Sequence, residues 1–133
     1  MPTLPTCSII SVILLLLTPC KADLVAHWKL DEATGLLASD TINNHTGSIA
    51  GGAAWNTVNL PPVPSGTNAA LEFDGADDQI NIVGYKGITG TGARTISAWI
   101  RTSHTNPQNR GILSWGINQT TRKWTFRIQT SNG

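Results

Sequence analysis

Cation binding by an oxygen-rich loop at residues 39–51 is the first chemistry that the residue types suggest. Asp40 and Asn43 lie in this loop, and Glu32 ends the segment that leads toward it. Calcium takes several oxygen ligands, which carboxylates, amide side chains and loop carbonyls supply. The spacing does not match an EF-hand. It predicts a loop-based Ca²⁺ site with Glu32, Asp40 and Asn43 as ligands, and the alternative is an ordinary turn rich in Asp and Asn.

A second group of carboxylates lies in the segment EFDGAD, residues 72–77. A retaining glycoside hydrolase needs two carboxyl groups about 5 Å apart across the scissile bond. Gly75 and Ala76, followed by two aspartates, instead favour a turn directly after Asp74. We therefore expect aspartates that accept hydrogen bonds from nearby backbone amides and no catalytic residues, with glycoside hydrolysis as the alternative.

A tryptophan on the polar side of a predicted strand is the leading candidate for ligand binding. In RTISAWIRT, residues 94–102, Trp99 is in phase with two small polar residues and with Arg101. Because side chains alternate along a strand, Trp99 is predicted to lie on the wet face. A sugar ring stacks on such an aromatic, and Arg101 and Arg127 are the candidate donors around it. The alternative is that Trp99 packs beneath another strand, since large aromatic side chains are usually buried.

Short strands separated by turns must position these residues. After residue 23, Gly, Pro, Asn and Asp interrupt the chain often, and no helical stretch of useful length is visible. Alternating apolar and polar residues predict an all-β antiparallel sandwich. Trp28 and Trp124 are in phase with apolar neighbours, which predicts that both are core residues. The predicted strands are residues 24–30, 47–50, 69–73, 79–83, 94–102, 111–117 and 123–130.

Four segments occur in a recognisable order: LVAHWKLDEATG (24–35), SDTINNHTGSIAG (39–51), LEFDGADDQI (71–80) and TISAWIRT (95–102). Together they resemble the LamG-like (laminin G-like) jelly rolls of the concanavalin A-like lectin/glucanase superfamily. The resemblance implies an antiparallel jelly-roll sandwich over residues 23–133, structural calcium, and a carbohydrate or extracellular partner.

Two departures from the family pattern qualify what the resemblance implies. EFDGAD is similar to the Glu-x-Asp-x-x-Glu catalytic strand of the superfamily's glucanases, but it ends in Asp77 and not in Glu. The chain also stops at Gly133, where such domains continue with further strands. The resemblance therefore implies a domain that is incomplete at its C-terminus and that belongs to a longer parent protein with other domains.

The first 22 residues are predicted to be a secretory signal peptide, with an apolar run at residues 9–17 and a small residue, Ala22, at the cleavage site. The run is shorter than the roughly 20 apolar residues that span a bilayer, so no transmembrane segment is expected. Cys7 and Cys20 both lie in this peptide, which leaves the mature chain without disulfides. Pro19 directly before Cys20 disfavours a lipoprotein anchor. We expect a secreted or extracytoplasmic protein, in the periplasm or at the cell surface.

Charge is balanced in total and divided along the chain. Without Lys21, which lies in the predicted signal peptide, eight basic side chains balance eight acidic ones, and a neutral domain is not suited to grip nucleic acid. Every acidic residue precedes residue 79, whereas the charged residues beyond that point are all Lys or Arg. Either the two halves interleave and cancel as surface ion pairs, or the basic half forms a patch for anionic glycans.

These observations together predict a secreted, non-catalytic binding module that recognises a carbohydrate or another extracellular partner. A glycoside hydrolase and a purely structural adhesion or spacer module are the alternatives. Fold analogy alone cannot name the ligand.

Overall fold

The computed structural model describes residues 22–60, 69–103, 110–120 and 122–128. Within these ranges the chain is all-β and forms no helix, and so none that is long and apolar enough to cross a membrane. The predicted signal peptide lies outside the described residues, except for Ala22. The strands are β1 (Leu37–Ala38), β2 (Gly47–Ala50), β3 (Ala54–Asn56), β4 (Ala70–Glu72), β5 (Gln79–Asn81), β6 (Arg110–Gly116) and β7 (Lys123–Ile128).

The strands pair into three small antiparallel sheets. One sheet has the order β1-β2-β5, and β3-β4 and β6-β7 form the two others. In the first sheet Ile49 of β2 lies opposite Ile80 of β5. Such cross-strand apolar pairs stabilise a sheet because their side chains contact each other on one face.

Two of the three buried apolar side chains of the described residues lie in the first sheet. The buried apolar side chains of the described residues are Ala38, Ile49 and Ala69. A methyl group on Gly47 would overlap the side chain of Ile80, so the absence of a Cβ lets β2 approach β5 closely. This sheet therefore fixes the position of the segments that flank it, the loop before β2 and the turn before β5.

The β6-β7 hairpin is the longest paired element. A β-bulge lies between Gly111 and Leu113, after which Trp115 lies opposite Trp124. The turn is closed by a hydrogen bond from the backbone N–H of Ile117 to the carbonyl of Arg122 at 3.1 Å. In β7 partly buried and exposed residues alternate strictly, as the sequence predicts.

Two predicted strands are wrong. Residues 24–30 form a single isolated bridge, between Trp28 and Asp40, and residues 94–102 belong to no strand. Ala98 and Ile100, predicted on the buried face, are exposed. The alternation of residues 94–102 measures how well these side chains would fit a sheet, but a strand also needs a neighbour, and none of the described strands pairs with them.

The other predicted strands are found close to their predicted positions, and two further strands were missed. Residues 47–50 coincide with β2, and β4, β5, β6 and β7 begin within a residue of their predicted starts. The two-residue β1 and the three-residue β3 lie outside the predicted strands. Such short segments contain too few alternations to stand out.

Candidate functional site

Asp40 is the centre of a hydrogen-bonded loop that joins residues 27 to 45. Its carboxylate is buried, with the residue only 5% exposed. Four backbone N–H groups donate to the two carboxylate oxygens, and His45 Nδ1 lies 2.9 Å from Oδ2. The backbone donors are His27 at 2.8 Å, Ile42 at 3.0 Å, Asn43 at 3.2 Å and His45 at 3.3 Å.

These donors determine the ionisation of Asp40. Burial alone would raise the pKa of its carboxyl group, but the hydrogen bonds from His27, Ile42 and His45 outweigh it and hold the pKa well below the ordinary value of 3.8. Asn44, at φ 58°, takes the left-handed conformation that Asn tolerates. The next residue, His45, contacts the Asp40 carboxylate through its backbone N–H and its ring. Asp40 therefore remains an anion that organises the loop.

An aromatic cluster covers this loop. The ring of His45 lies 4.1 Å from that of Tyr85, and Trp28 meets Tyr85 edge-on at 5.7 Å. Trp28 Nε1 also donates to the His45 carbonyl at 2.8 Å. Burial and the charge of Asp40 both raise the pKa of Tyr85. Trp28, predicted as core, is thus partly buried in a polar and aromatic cluster.

The predicted calcium ligands Glu32, Asp40 and Asn43 lie in one region but are engaged differently. Glu32 Oε1 accepts the Ser39 N–H at 2.8 Å, while its Oε2 is buried without a partner among the described residues. Asn43 Nδ2 donates to the Val25 carbonyl at 2.8 Å, which leaves its amide oxygen for another bond. A cation would find oxygens on Glu32 and Asn43, whereas the oxygens of Asp40 already accept N–H donors. The Ca²⁺ site at these residues stays a prediction.

The turn after β4 brings three carboxylates together. Oxygens of Asp74, Asp77 and Asp78 lie within 4.8 Å of one another, close enough to share a metal ion. As predicted for a turn, the Asp74 N–H donates to Asp78 Oδ2 and the Ala76 N–H donates to Asp74 Oδ1. Asp78 Oδ1 is buried without a described partner. Three acids within five residues are the sequence signal for this cluster, which the sequence predicts as a turn, with glycoside hydrolysis as the alternative, and not as a metal site.

The positively charged side chain of Arg110 lies beside this acidic turn. The guanidinium of Arg110 is close to Gly75, since a methyl group added there would be 4.0 Å from Nη1.

The predicted sugar-binding residues lie on two separate elements. Trp99 is 73% exposed, on the extended segment outside the three sheets. Arg101, two residues on, donates from Nη1 to the Asn59 carbonyl at 2.9 Å. Arg127 lies on β7, where it is opposite Gly111. Ala98 and Ile100 are exposed as well, so the exposure of Trp99 does not distinguish a wet face from a buried one. Ligand binding by the three residues stays a prediction.

A cleft of about 630 Å³ lies beside the β6-β7 hairpin. Trp115 and Trp124 both line it, and their rings stack with centroids 4.3 Å apart and planes 16° apart. Both residues are partly buried. Gly87, at φ 60°, lies against Trp115, because a methyl group there would be 3.1 Å from ring carbon Cζ2. The hairpin register and Gly87 together hold two indoles side by side at a surface cleft.

Basic side chains surround the two rings. Lys86, Arg94, Arg122 and Lys123 also line the cleft, and none of its described lining residues is acidic. The ion pairs found in the described ranges join Lys29 to Asp31 and His45 to Asp40, so none of these four cations is paired with a described carboxylate. The surface ion pairs between the acidic and basic parts of the chain, one of the two predicted alternatives, are therefore not found at this cleft among the described residues.

Sequence reasoning did not find this cleft, because it assigned Trp124 to the core and left Trp115 unassigned. A usable signal was present: the two tryptophans are placed symmetrically about the turn between β6 and β7. Residues symmetric about a hairpin turn lie opposite each other on one face. A pair of facing tryptophans next to Arg122 and Lys123 therefore indicates an aromatic and basic surface.

No family model, no curated protein and no solved structure matches the chain.

Proposed function

We propose that the protein is a secreted, non-catalytic module that binds carbohydrate, and that the cleft beside Trp115 and Trp124 is its binding site. The stacked tryptophan pair at the edge of this cleft carries the proposal. Aromatic rings supply a flat apolar surface that matches the C–H face of a sugar ring, and the surrounding side chains supply donors for its hydroxyl groups.

The dimensions of the cleft support a small ligand. Sites for small molecules usually enclose about 300–1,000 Å³ and combine apolar walls with a few polar groups. The cleft has a volume of about 630 Å³, and a neighbouring recess of about 330 Å³ shares Lys86, Gly116 and Arg122 with it.

The wider context of the domain is also a proposal. We propose that the three small sheets belong to a LamG-like jelly-roll sandwich over residues 23–133. The four quoted segments and the antiparallel pairing support it. Residues 1–22 act as the signal peptide in this proposal.

Three alternatives make different predictions. An extracellular protein partner would use the exposed segment around Trp99, and a spacer module would bind neither sugar nor protein there. A glycoside hydrolase would use Glu72 and the aspartates that follow it, but Asp74 and Asp78 are engaged with backbone amides of the turn. Measurement of sugar release by the full chain separates hydrolysis from binding.

Two tryptophan variants test the proposed site. The full chain is screened against a panel of immobilised oligosaccharides, and affinity for the saccharides retained is measured by calorimetry. Trp124→Ala is expected to weaken binding at least tenfold, about 1.4 kcal/mol, because it removes one of the two stacked rings. Trp124→Phe, which keeps an aromatic ring, is expected to restore part of the affinity.

Trp99→Ala is the matched control, since it removes an indole from a segment outside the cleft. If Trp99→Ala abolishes binding and Trp124→Ala does not, the site is the one predicted from the sequence and not the cleft. If the panel retains none of the full chain, carbohydrate binding is contradicted. Circular dichroism of each variant shows whether the hairpin is still folded.

Calcium binding is a second proposal, favoured by the unpartnered carboxylate oxygens of Glu32 and Asp78. Buried oxygens without a partner are costly unless a donor or a cation satisfies them. The two candidate places are the loop with Glu32 and Asn43 and the acidic turn at Asp74, Asp77 and Asp78.

A further inference from the structure

We propose that the cleft selects saccharides that carry carboxylate or sulfate groups over neutral saccharides of the same backbone. The inference rests on the carbohydrate-binding function proposed above and specifies the class of sugar. It follows from the charges that surround the tryptophan pair.

The cations of the cleft are available to a ligand. Lys86 and Arg122 are exposed. Arg122 donates one hydrogen bond, from Nη1 to the neutral side-chain oxygen of Gln119 at 3.2 Å. No described carboxylate neutralises either residue. A neutral sugar would leave these charges unmatched, whereas an anionic sugar would complement them.

Arg94 is held in position before any ligand binds. Its Nη2 donates to the Gly90 carbonyl at 2.6 Å and its Nε donates to the Gly92 carbonyl at 3.1 Å. A guanidinium has five N–H donors, so three remain for an anion. Because its position is already fixed, Arg94 loses less conformational freedom on binding than a free side chain would.

The tryptophan pair decides between two kinds of anionic ligand. An acidic peptide would satisfy the cations but would leave the two indoles at the cleft without a matching apolar surface. A uronate or sulfated sugar places a ring and an anionic group in one unit. Trp124 lies next to Lys123 and two residues from Arg122 in the chain, which brings ring and charge to one short stretch of the hairpin.

Matched saccharide pairs test the inference. The full chain is titrated calorimetrically with oligogalacturonate and with its methyl ester, then with a sulfated galactan oligosaccharide and its desulfated form. We expect at least one charged member to bind about tenfold more tightly than its neutral counterpart, which corresponds to about 1.4 kcal/mol. The preference is expected to shrink as NaCl is raised toward 1 M, where charges are screened beyond about 3 Å.

Charge variants assign the preference to the cleft. Lys86→Gln combined with Arg122→Gln is expected to reduce the charged-to-neutral ratio by about two- to fivefold per residue, the effect of losing one exposed charge interaction. Lys29→Gln removes a positive charge from outside the lining of the cleft, where Lys29 pairs with Asp31, and is expected to leave the ratio unchanged. Arg94→Lys keeps the charge but loses the forked donor geometry, and it is expected to weaken the anionic ligand more than the neutral one.

The outcomes of these experiments distinguish failure of the anionic preference from failure of carbohydrate binding itself. Equal binding of charged and neutral members overturns the anionic preference and leaves carbohydrate binding intact. Equal binding of an oligoglutamate peptide and oligogalacturonate overturns the choice of a saccharide. A preference that survives the double variant places the anion site elsewhere and overturns the inference, and no binding of any saccharide overturns both proposals.

Discussion

A methyl group at Gly87 is expected to disturb the tryptophan pair without touching either tryptophan. Gly87 has a φ of 60°, and a Cβ built there would lie 3.1–3.3 Å from three atoms of the six-membered ring of Trp115. Contacts this short require the indole to move by a few tenths of an ångström. Because Trp115 stacks on Trp124, the movement is expected to change the geometry of both rings.

The chain offers a matched control at Gly84. Gly84 has a φ of 80°, and a Cβ there would meet no atom within 4 Å. Alanine in the left-handed region costs about 1–2 kcal/mol at either position. Gly87→Ala also crowds Trp115, and overpacking of this kind costs about 1–3 kcal/mol. The difference between the two variants in the free energy of unfolding is therefore expected to be about 1–3 kcal/mol.

Two measurements check this prediction. Denaturant unfolding gives the difference in the free energy of unfolding, and exciton-coupled circular dichroism reports the stacking of the two indoles. Gly87→Ala is expected to weaken the exciton signal and the binding of saccharide, while Gly84→Ala changes neither. If both variants lose equal stability and keep the exciton signal, Gly87 does not support Trp115 and the reasoning is refuted.

Three further predictions concern the loop and the acidic turn. The free energy of unfolding is expected to fall as the pH drops below 3.8, because the pKa of Asp40 is lower in the folded chain than in the unfolded one, and Asp40→Asn should flatten this dependence in an acid series of denaturant titrations. Gly51→Ala is expected to cost about 2–4 kcal/mol in a denaturant titration, since its φ is 90° and the new methyl would lie 2.6 Å from Asp78 Cα. Millimolar Ca²⁺ is expected to raise the melting temperature, an effect that Asp77→Asn should remove if the ion binds at the acidic turn.

Each of these predictions has a contradicting result. A pH profile of Asp40→Asn that parallels the original protein would show that another group controls acid stability. A cost for Gly51→Ala no larger than that of Gly84→Ala would mean that the Asp77–Asp78 backbone yields easily. Melting unaffected by Ca²⁺ or by chelation would contradict calcium binding, and a Ca²⁺ effect that survives Asp77→Asn would point to Glu32 and Asn43 instead.

The strands could be predicted from the sequence where the two paired strands are close together in the chain. The β6-β7 hairpin is local, so its turn and its alternation specify both strands and their register. Residues 94–102 show equally clear alternation, yet they remain outside every sheet of the described ranges. Alternation measures the fit of a segment to a sheet, whereas pairing between distant segments depends on neighbours that a local pattern does not reveal.

The candidate site also depends on contacts between distant segments, which a local sequence pattern does not reveal. Phase predicted Trp99 on one face of a strand, but residues 94–102 form no strand, and Ala98 and Ile100, predicted on the other face, are exposed as well. Phase also could not show that Trp124 stacks on Trp115 at a cleft, because it separates two faces without specifying what packs against each. Residue type and loop position single out Asp40 as a calcium ligand, and that role stays a prediction. Its role as an acceptor for four backbone amides depended on the three-dimensional path of residues 27–45.

The most direct test of the central claim is the response of the individual indole N–H signals to a saccharide. In a ¹⁵N-labelled full chain, titration with oligogalacturonate or the sulfated galactan oligosaccharide is followed at Trp115, Trp124 and Trp99. We predict saturable shifts at Trp115 and Trp124 and none at Trp99. Shifts confined to Trp99, or none at any tryptophan, would contradict a saccharide site at this cleft.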